Sequence, residues 1–223
     1  MKRLLVLFLF FPTLIKAQTK DPMEKTYTYL ALGDSYTIGE AVLLKNNFPY
    51  QTVQLLRKKG YAFAAPEIIA KTGWTTDELE AGMKDYNFLS KYDFVTLLIG
   101  VNNQYRGREV IEYKEQLVQL LERAIALAGK PSHVIIISIP DYSVTPFAKS
   151  KDTAKISGQI DVFNSVAKAL SVQYKTQYVE ITAESRDAEN DGSLVADDGL
   201  HPSAKEYAKW AEKVSKTMFS LLK

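Results

Sequence analysis

The stretch "DFVTLLIG", residues 93 to 100, runs Phe94, Val95, Thr96, Leu97, Leu98, Ile99, with one polar residue in six. A strand with one wet face alternates apolar and polar residues. A run that is apolar nearly throughout needs cover on both faces, as in a parallel sheet. Four more β-rich runs punctuate the chain: "TYLALG" (28–33), "PEIIAK" (66–71), "HVIIISIP" (133–140) and "QYVEIT" (177–182). The segments between them carry helical periodicity. Val110, Tyr113, Leu117, Leu120, Leu121, Ala124 and Leu127 recur at steps of three and four, and Gly129 and Pro131 mark that helix's end. Ile156, Ile160, Phe163, Ala167 and Leu170 form a second stripe, and Tyr207, Trp210, Val214, Met218 and Leu221 a third. Ser203 and Glu206 have capping-box spacing at the start of that last helix. Strands alternating with helices imply an open α/β sheet with right-handed crossovers.

Such a sheet binds ligands in the crevice beyond the carboxyl ends of its strands. Chemically useful residues should therefore follow strands. Ser35 follows the first in "LALGDSYTIGE" (30–40), Gly73 the second in "KTGWTTDEL", and Asn102 the third in "IGVNNQYR". Asp198 and His201 follow the fifth in "DDGLHPS". These types together can perform acyl transfer. A serine hydroxyl needs a base to become a nucleophile, and histidine is the usual base near neutral pH. Of the two histidines, His133 opens a strand at its amino end, the wrong edge of the sheet, which leaves His201. Asp198 sits three residues earlier across Gly199 and can orient the imidazole; Asp197 is a weaker rival. The backbone N–H groups of Ser35 and Gly73 and the Asn102 side-chain amide are candidate oxyanion donors. Asp34 is expected to bond the turn's backbone.

At these residues the chain resembles the SGNH (GDSL-type) hydrolases. "GDSY" is similar to the first block, with Ser35 as nucleophile, and Gly73 to the second-block glycine. "GVNN" is similar to the third block, with Gly100 and Asn102, and "DGLH" to the fifth, with Asp198 and His201. "IPDYSVTPF" and "SLVADDGLHPS" resemble a bacterial single-domain esterase branch, akin to lysophospholipase L1. The resemblance implies a three-layer α/β/α sandwich on a five-stranded parallel sheet, flavodoxin-like in order. It also implies ester hydrolysis without a cofactor, with a lysophospholipid, thioester, short-chain ester or carbohydrate acetyl ester as substrate. Two positions depart from the family pattern: Tyr36 stands where leucine is usual, and Asn103 where the third block commonly has aspartate. Trp74, Tyr142, Pro146 and Phe147 fall in loops near the expected crevice and are candidate substrate contacts.

Composition excludes several other classes. Residues 1 to 17 have a secretory signal layout: Lys2 and Arg3, an apolar run from Leu4 to Phe11 extended to Ile15, and small Ala17. The rest, 18 to 223, suits one domain that is exported to the periplasm or secreted. Removing that segment takes three of the 28 Lys and Arg residues and no acid, leaving 25 bases against 26 acids. No basic excess remains to bind nucleic acid, and no second apolar run offers a membrane span. The absence of cysteine excludes disulfides, thiol catalysis and thiolate metal sites. "DAENDG" (187–192) has EF-hand-like acids but lacks the closing glutamate. With two histidines and no H-E-x-x-H, a zinc hydrolase is disfavoured. The non-enzymatic alternative is a flavodoxin-like binding module, but no glycine-rich phosphate loop follows the first strand.

Overall fold

All five apolar runs form strands in the computed structural model, which describes residues 25–222. The signal-peptide expectation for residues 1 to 17 lies outside that range. In chain order the elements are β1 (Tyr29–Gly33), α1 (Ser35–Ile38), α2 (Phe48–Lys58), β2 (Glu67–Ala70) and α3 (Thr76–Lys84). Then come β3 (Phe94–Leu98), α4 (Val101–Tyr105), α5 (Val110–Ala128), β4 (Val134–Ile137) and α6 (Thr153–Tyr174). The chain ends with β5 (Gln177–Val179), α7 (Thr182–Ser185) and α8 (Ala204–Leu221). The strands form one sheet in the order β2-β1-β3-β4-β5, and every pair is parallel. Leu32 sits level with Ile69 on one side and Leu97 on the other.

Burial follows strand position. Every residue of β1, β3 and β4 is buried, whereas the edge strands β2 and β5 keep partly exposed positions. Continuous apolarity in the central runs is the cost of cover on both faces. Helix α5 places Tyr113, Leu117, Leu120, Leu121 and Ala124 inward and stops at Gly129, whose φ of 71° is left-handed. Its N–H returns to the Ile125 carbonyl at 2.8 Å.

Right-handed crossovers decide which face each helix covers. The step from β1 to β2 runs one way along the sheet, and those from β2 to β3, β4 and β5 run the other. Helix α2 therefore covers the opposite face from α3, α5 and α6, and α8 packs beside α2. The reversal leaves a crevice at the carboxyl ends of β1 and β3, the topological switch point of this strand order.

The expected capping box at Ser203 forms only by half. Ser203 Oγ accepts the Glu206 N–H at 3.4 Å, but the Glu206 carboxylate turns inward to accept from Trp210 Nε1 at 2.9 Å. Two competing needs explain the difference. The Ser203 N–H already donates to the Leu194 carbonyl at 2.8 Å, and the indole N–H of fully buried Trp210 requires an acceptor. The box's return bond, from the N-cap N–H, forms instead at α3. There the Thr75 N–H donates to Glu78 Oε2 at 2.9 Å.

Candidate active site

Ser35 is the first residue of a single helical turn set directly on the end of β1. The turn is sharp because Gly33 has no side chain. A Cβ there would collide with Thr37 Oγ1 and the Leu98 carbonyl. Asp34 caps the turn by accepting the Tyr36 N–H on Oδ1 at 3.0 Å. That agrees with its expected role in the backbone. Its second oxygen accepts from Asn102 Nδ2 at 3.4 Å, which ties the β1 turn to the β3 turn. Asp34 is completely buried, and burial pushes its pKa up to about 7 against the hydrogen bonds it accepts.

Asn102 stands on α4, immediately beyond β3. Gly100 starts that turn with a φ of 127°, close under the Tyr113 ring. Asn102 Nδ2 also donates to the Trp74 carbonyl at 3.0 Å, so the β2 and β3 loops meet at this amide. Gly73 adopts a φ of 82°, and its carbonyl accepts from Arg106 Nη2 at 2.6 Å. The backbone N–H groups of Ser35 and Gly73 have no acceptor among the described residues. Asn103, where the family pattern commonly has aspartate, is buried. Its Oδ1 accepts the Thr76 N–H at 3.1 Å and its Nδ2 donates to Thr76 Oγ1 at 2.7 Å.

The histidine loop is a tight reversal between Val195 and Pro202, which pair as an antiparallel bridge. Gly199 turns it with a φ of 72°. Asp198 Oδ1 accepts the N–H groups of Leu200 and His201 at 3.0 and 2.9 Å, and Oδ2 lies 2.6 Å from His201 Nδ1. Burial would raise the Asp198 pKa, but the hydrogen bonds from the imidazole and the two amides hold it below its ordinary value. An ionised carboxylate only accepts, so Nδ1 carries the proton and Nε2 is left as a base. The His201 ring packs against Tyr36, 5.3 Å between centroids, and Tyr36 in turn against Trp210 at 6.3 Å. The tyrosine in the usual leucine position thus forms the bed of the imidazole. No bond joins Asp197 to His201 among the described residues.

Ser35, Asn102 and His201 line one cavity of about 120 Å³. Tyr142 and Phe147 line it too, as do Tyr36, Val101, Tyr105 and Leu200. Ser35 Oγ makes no direct hydrogen bond to His201 among the described residues; contacts of this kind commonly tighten only around substrate. Gly73 lies one residue before the Trp74 carbonyl that holds Asn102 and is not part of the lining. The Trp74 indole is separated from this group. It lies against Gly82 of α3, where even a methyl group would collide with it. Pro146 also stays outside the lining; its ring sits beside Gly199. Tyr105 escaped the sequence reading. It sits on α4 three residues after Asn102, one helical turn on, and that spacing was the available signal.

His133 stacks on Phe94 at 4.7 Å beside β3's amino end, and its Nδ1 lies 2.6 Å from the Asp93 carbonyl. In the "DAENDG" loop, Asp191 pairs with Lys205 at 2.8 Å and Asp187 with Lys209 at 3.4 Å. Among the described residues no group of three potential ligands is arranged around a common point, and no helix is long and apolar enough to cross a membrane.

Comparison with known proteins agrees with this architecture. The acetylxylan esterase Axe2 from Geobacillus stearothermophilus superposes with a TM-score of 0.69 at 18% identity, over 88% of this chain and 96% of its own. A lipase/acylhydrolase from Enterococcus faecalis gives 0.71 at 18% identity, over 89% and 98%. A G-D-S-L lipolytic protein from Veillonella parvula gives 0.69 at 17% identity, over 88% and 100%. No curated protein sequence matches the chain. The sequence model of the GDSL-like lipase/acylhydrolase family matches residues 31–209, from within β1 to within α8. With the turn after β1, the β3 amide and the histidine loop all inside that match, the chain belongs to the GDSL-like lipase/acylhydrolase family and is a carboxylic ester hydrolase.

Proposed function

We propose that the chain hydrolyses short acyl esters through Ser35, His201 and Asp198. The observation that carries this reading is the 2.6 Å Asp198–His201 pair opening onto the cavity that Ser35 also lines. His201 Nε2 takes the Ser35 proton as Oγ attacks the acyl carbon. The carbonyl oxygen becomes negative and is held by the Ser35 and Gly73 N–H groups and by Asn102 Nδ2. One Nδ2 proton is already given to Trp74; the other makes only the long 3.4 Å bond to Asp34 and is the one left to share with the oxyanion. The imidazolium protonates the departing alcohol, leaving an acyl-serine. Water attacks that ester with His201 again as base, and the acid leaves as Ser35 regains its proton.

The cavity is small, about 120 Å³, and opens to solvent, which suits a short acyl group held at its base. Among short esters, acetylated carbohydrate fits best: aromatic Tyr105 and Phe147 flank the opening as sugar-stacking surfaces. The similarly folded Axe2 is named as an acetylxylan esterase. The predicted export signal would deliver the activity outside the cytoplasm, where such glycans occur.

The test is Ser35→Ala assayed with p-nitrophenyl acetate. Turnover should fall at least about 1000-fold while circular dichroism stays native. Undiminished turnover would remove Ser35 from the reaction.

A further inference from the structure

The aromatic wall of the cavity carries a positive charge at its rim. Tyr105, Tyr142 and Phe147 form a triangle with ring centroids 6.2, 5.9 and 6.2 Å apart. Tyr142 is buried at 4% exposure and forms the depth of the wall; Tyr105 and Phe147, at 51% and 38%, form its outer edge. Lys151 Nζ lies over both outer rings, 4.9 Å from the Phe147 centroid and 5.5 Å from that of Tyr105. The backbone fixes this placement from two directions. The Lys151 N–H donates to the carbonyl of buried Ala148 at 2.8 Å, and the Phe147 N–H to the Gly199 carbonyl of the histidine loop at 2.9 Å.

Among the described residues Lys151 has no carboxylate within 4.0 Å. No carboxylate lines the cavity either. The acids around the cavity and next to Lys151 are engaged elsewhere: Asp198 by His201, Asp34 by Tyr36 and Asn102, and Asp152 by the Lys155 N–H that it caps at 3.0 Å. The ring faces attract the ammonium and hold it at the opening, but a neutral ring leaves its charge uncompensated. A substrate bearing a negative group beside the scissile ester would supply the missing partner. We infer that Lys151 is a specificity-determining residue that favours anionic esters, those with a carboxylate or phosphate on the acyl or the alcohol part. This inference rests on the ester-hydrolase reading of the same cavity.

The test compares anionic esters with neutral partners of similar shape. On the acyl side, mono-4-nitrophenyl glutarate is set against 4-nitrophenyl valerate. On the alcohol side, 4-acetoxybenzoate is set against 4-acetoxybenzamide. A unit charge about 5 to 6 Å from an exposed ammonium favours binding by about three- to tenfold. For at least one pair, Lys151→Met, which keeps the apolar stem, should lower the anionic-to-neutral ratio of kcat/KM by that factor, through KM. Lys151→Arg should restore the ratio, Lys151→Glu should invert it, and 0.5 M NaCl should narrow it. The pair that responds tells which side of the ester carries the charge. Equal ratios in wild type and Lys151→Met for both pairs would overturn the inference. So would a Lys151→Met variant that slows neutral and anionic members alike, since the lysine would then only pack the rings. A wild type that cleaves none of the four esters would instead overturn the short-ester reading, a different result from cleavage without charge preference.

Discussion

Asp34 is a buried carboxyl group beside the proposed nucleophile, and its pKa of about 7 has a consequence for stability. The unfolded chain releases this proton near the ordinary carboxyl value of 3.8. Between those values the folded state binds more protons than the unfolded one, so Asp34's contribution to stability falls as pH rises from about 4 to about 7. Asp34→Asn removes that slope. The stability difference between wild type and Asp34→Asn, from urea unfolding, should shift against wild type by on the order of 2 to 4 kcal/mol from pH 4.5 to pH 8. A difference constant across that range would contradict the assignment. The variant should also lose activity, because one orientation of its amide sets Nδ2 against Asn102 Nδ2. For Asp198, an asparagine can offer His201 Nδ1 an N–H and favour the wrong tautomer. Asp198→Asn should lower kcat by about 10⁴-fold with the fold intact, as measured by steady-state kinetics. The positions of Ser35, Asn102, Asp198 and His201 were legible because each follows a strand run and only one of the chain's two histidines, His201, does so. The link from Asp34 to Asn102 was not, since it spans 68 residues and depends on which loops the sheet brings side by side.

At the level of elements, Asn103 joins three helices. It bonds Thr76 of α3 from α4, and Thr76 Oγ1 donates onward to Gln116 Oε1 of α5. The chain has a direction: Asn103 Nδ2 gives, Thr76 receives and gives on. Aspartate at 103 could only accept, so Thr76 would have to turn its proton back and leave the Gln116 carbonyl oxygen without it. Asn103→Asp should therefore cost about 1 to 3 kcal/mol in chemical denaturation, although the aspartate is the commoner residue of the family pattern. An equal or higher midpoint would contradict this. Strand positions were readable because burial on both faces imposes continuous apolarity, and each observed strand falls within its predicted run. The cap at Ser203 was misread because spacing alone cannot show that the glutamate is claimed by a buried indole four residues on.

Across the whole molecule, the layer of α2 and α8 is what holds the imidazole bed in place. Trp210 is fully buried beside Phe48 of α2 and Tyr36, at 6.3 Å from each, and Tyr36 supports His201. Trp210→Ala should cost about 3 to 5 kcal/mol, since it opens a cavity and strips Glu206 Oε1 of its donor. A loss under about 1 kcal/mol in thermal or urea unfolding would show that this layer can collapse around the gap. The strand order and the switch point follow from the crossover rule once the strands are known. The shape of the cavity does not, because Trp74 turns towards α3 while Tyr105 turns into the opening. The most direct measurement is peptide mapping by mass spectrometry after reaction with a fluorophosphonate. One adduct on Ser35 is expected, strongly slowed by His201→Ala. Modification elsewhere, or equal labelling of Ser35 without His201, would contradict a serine activated by that imidazole.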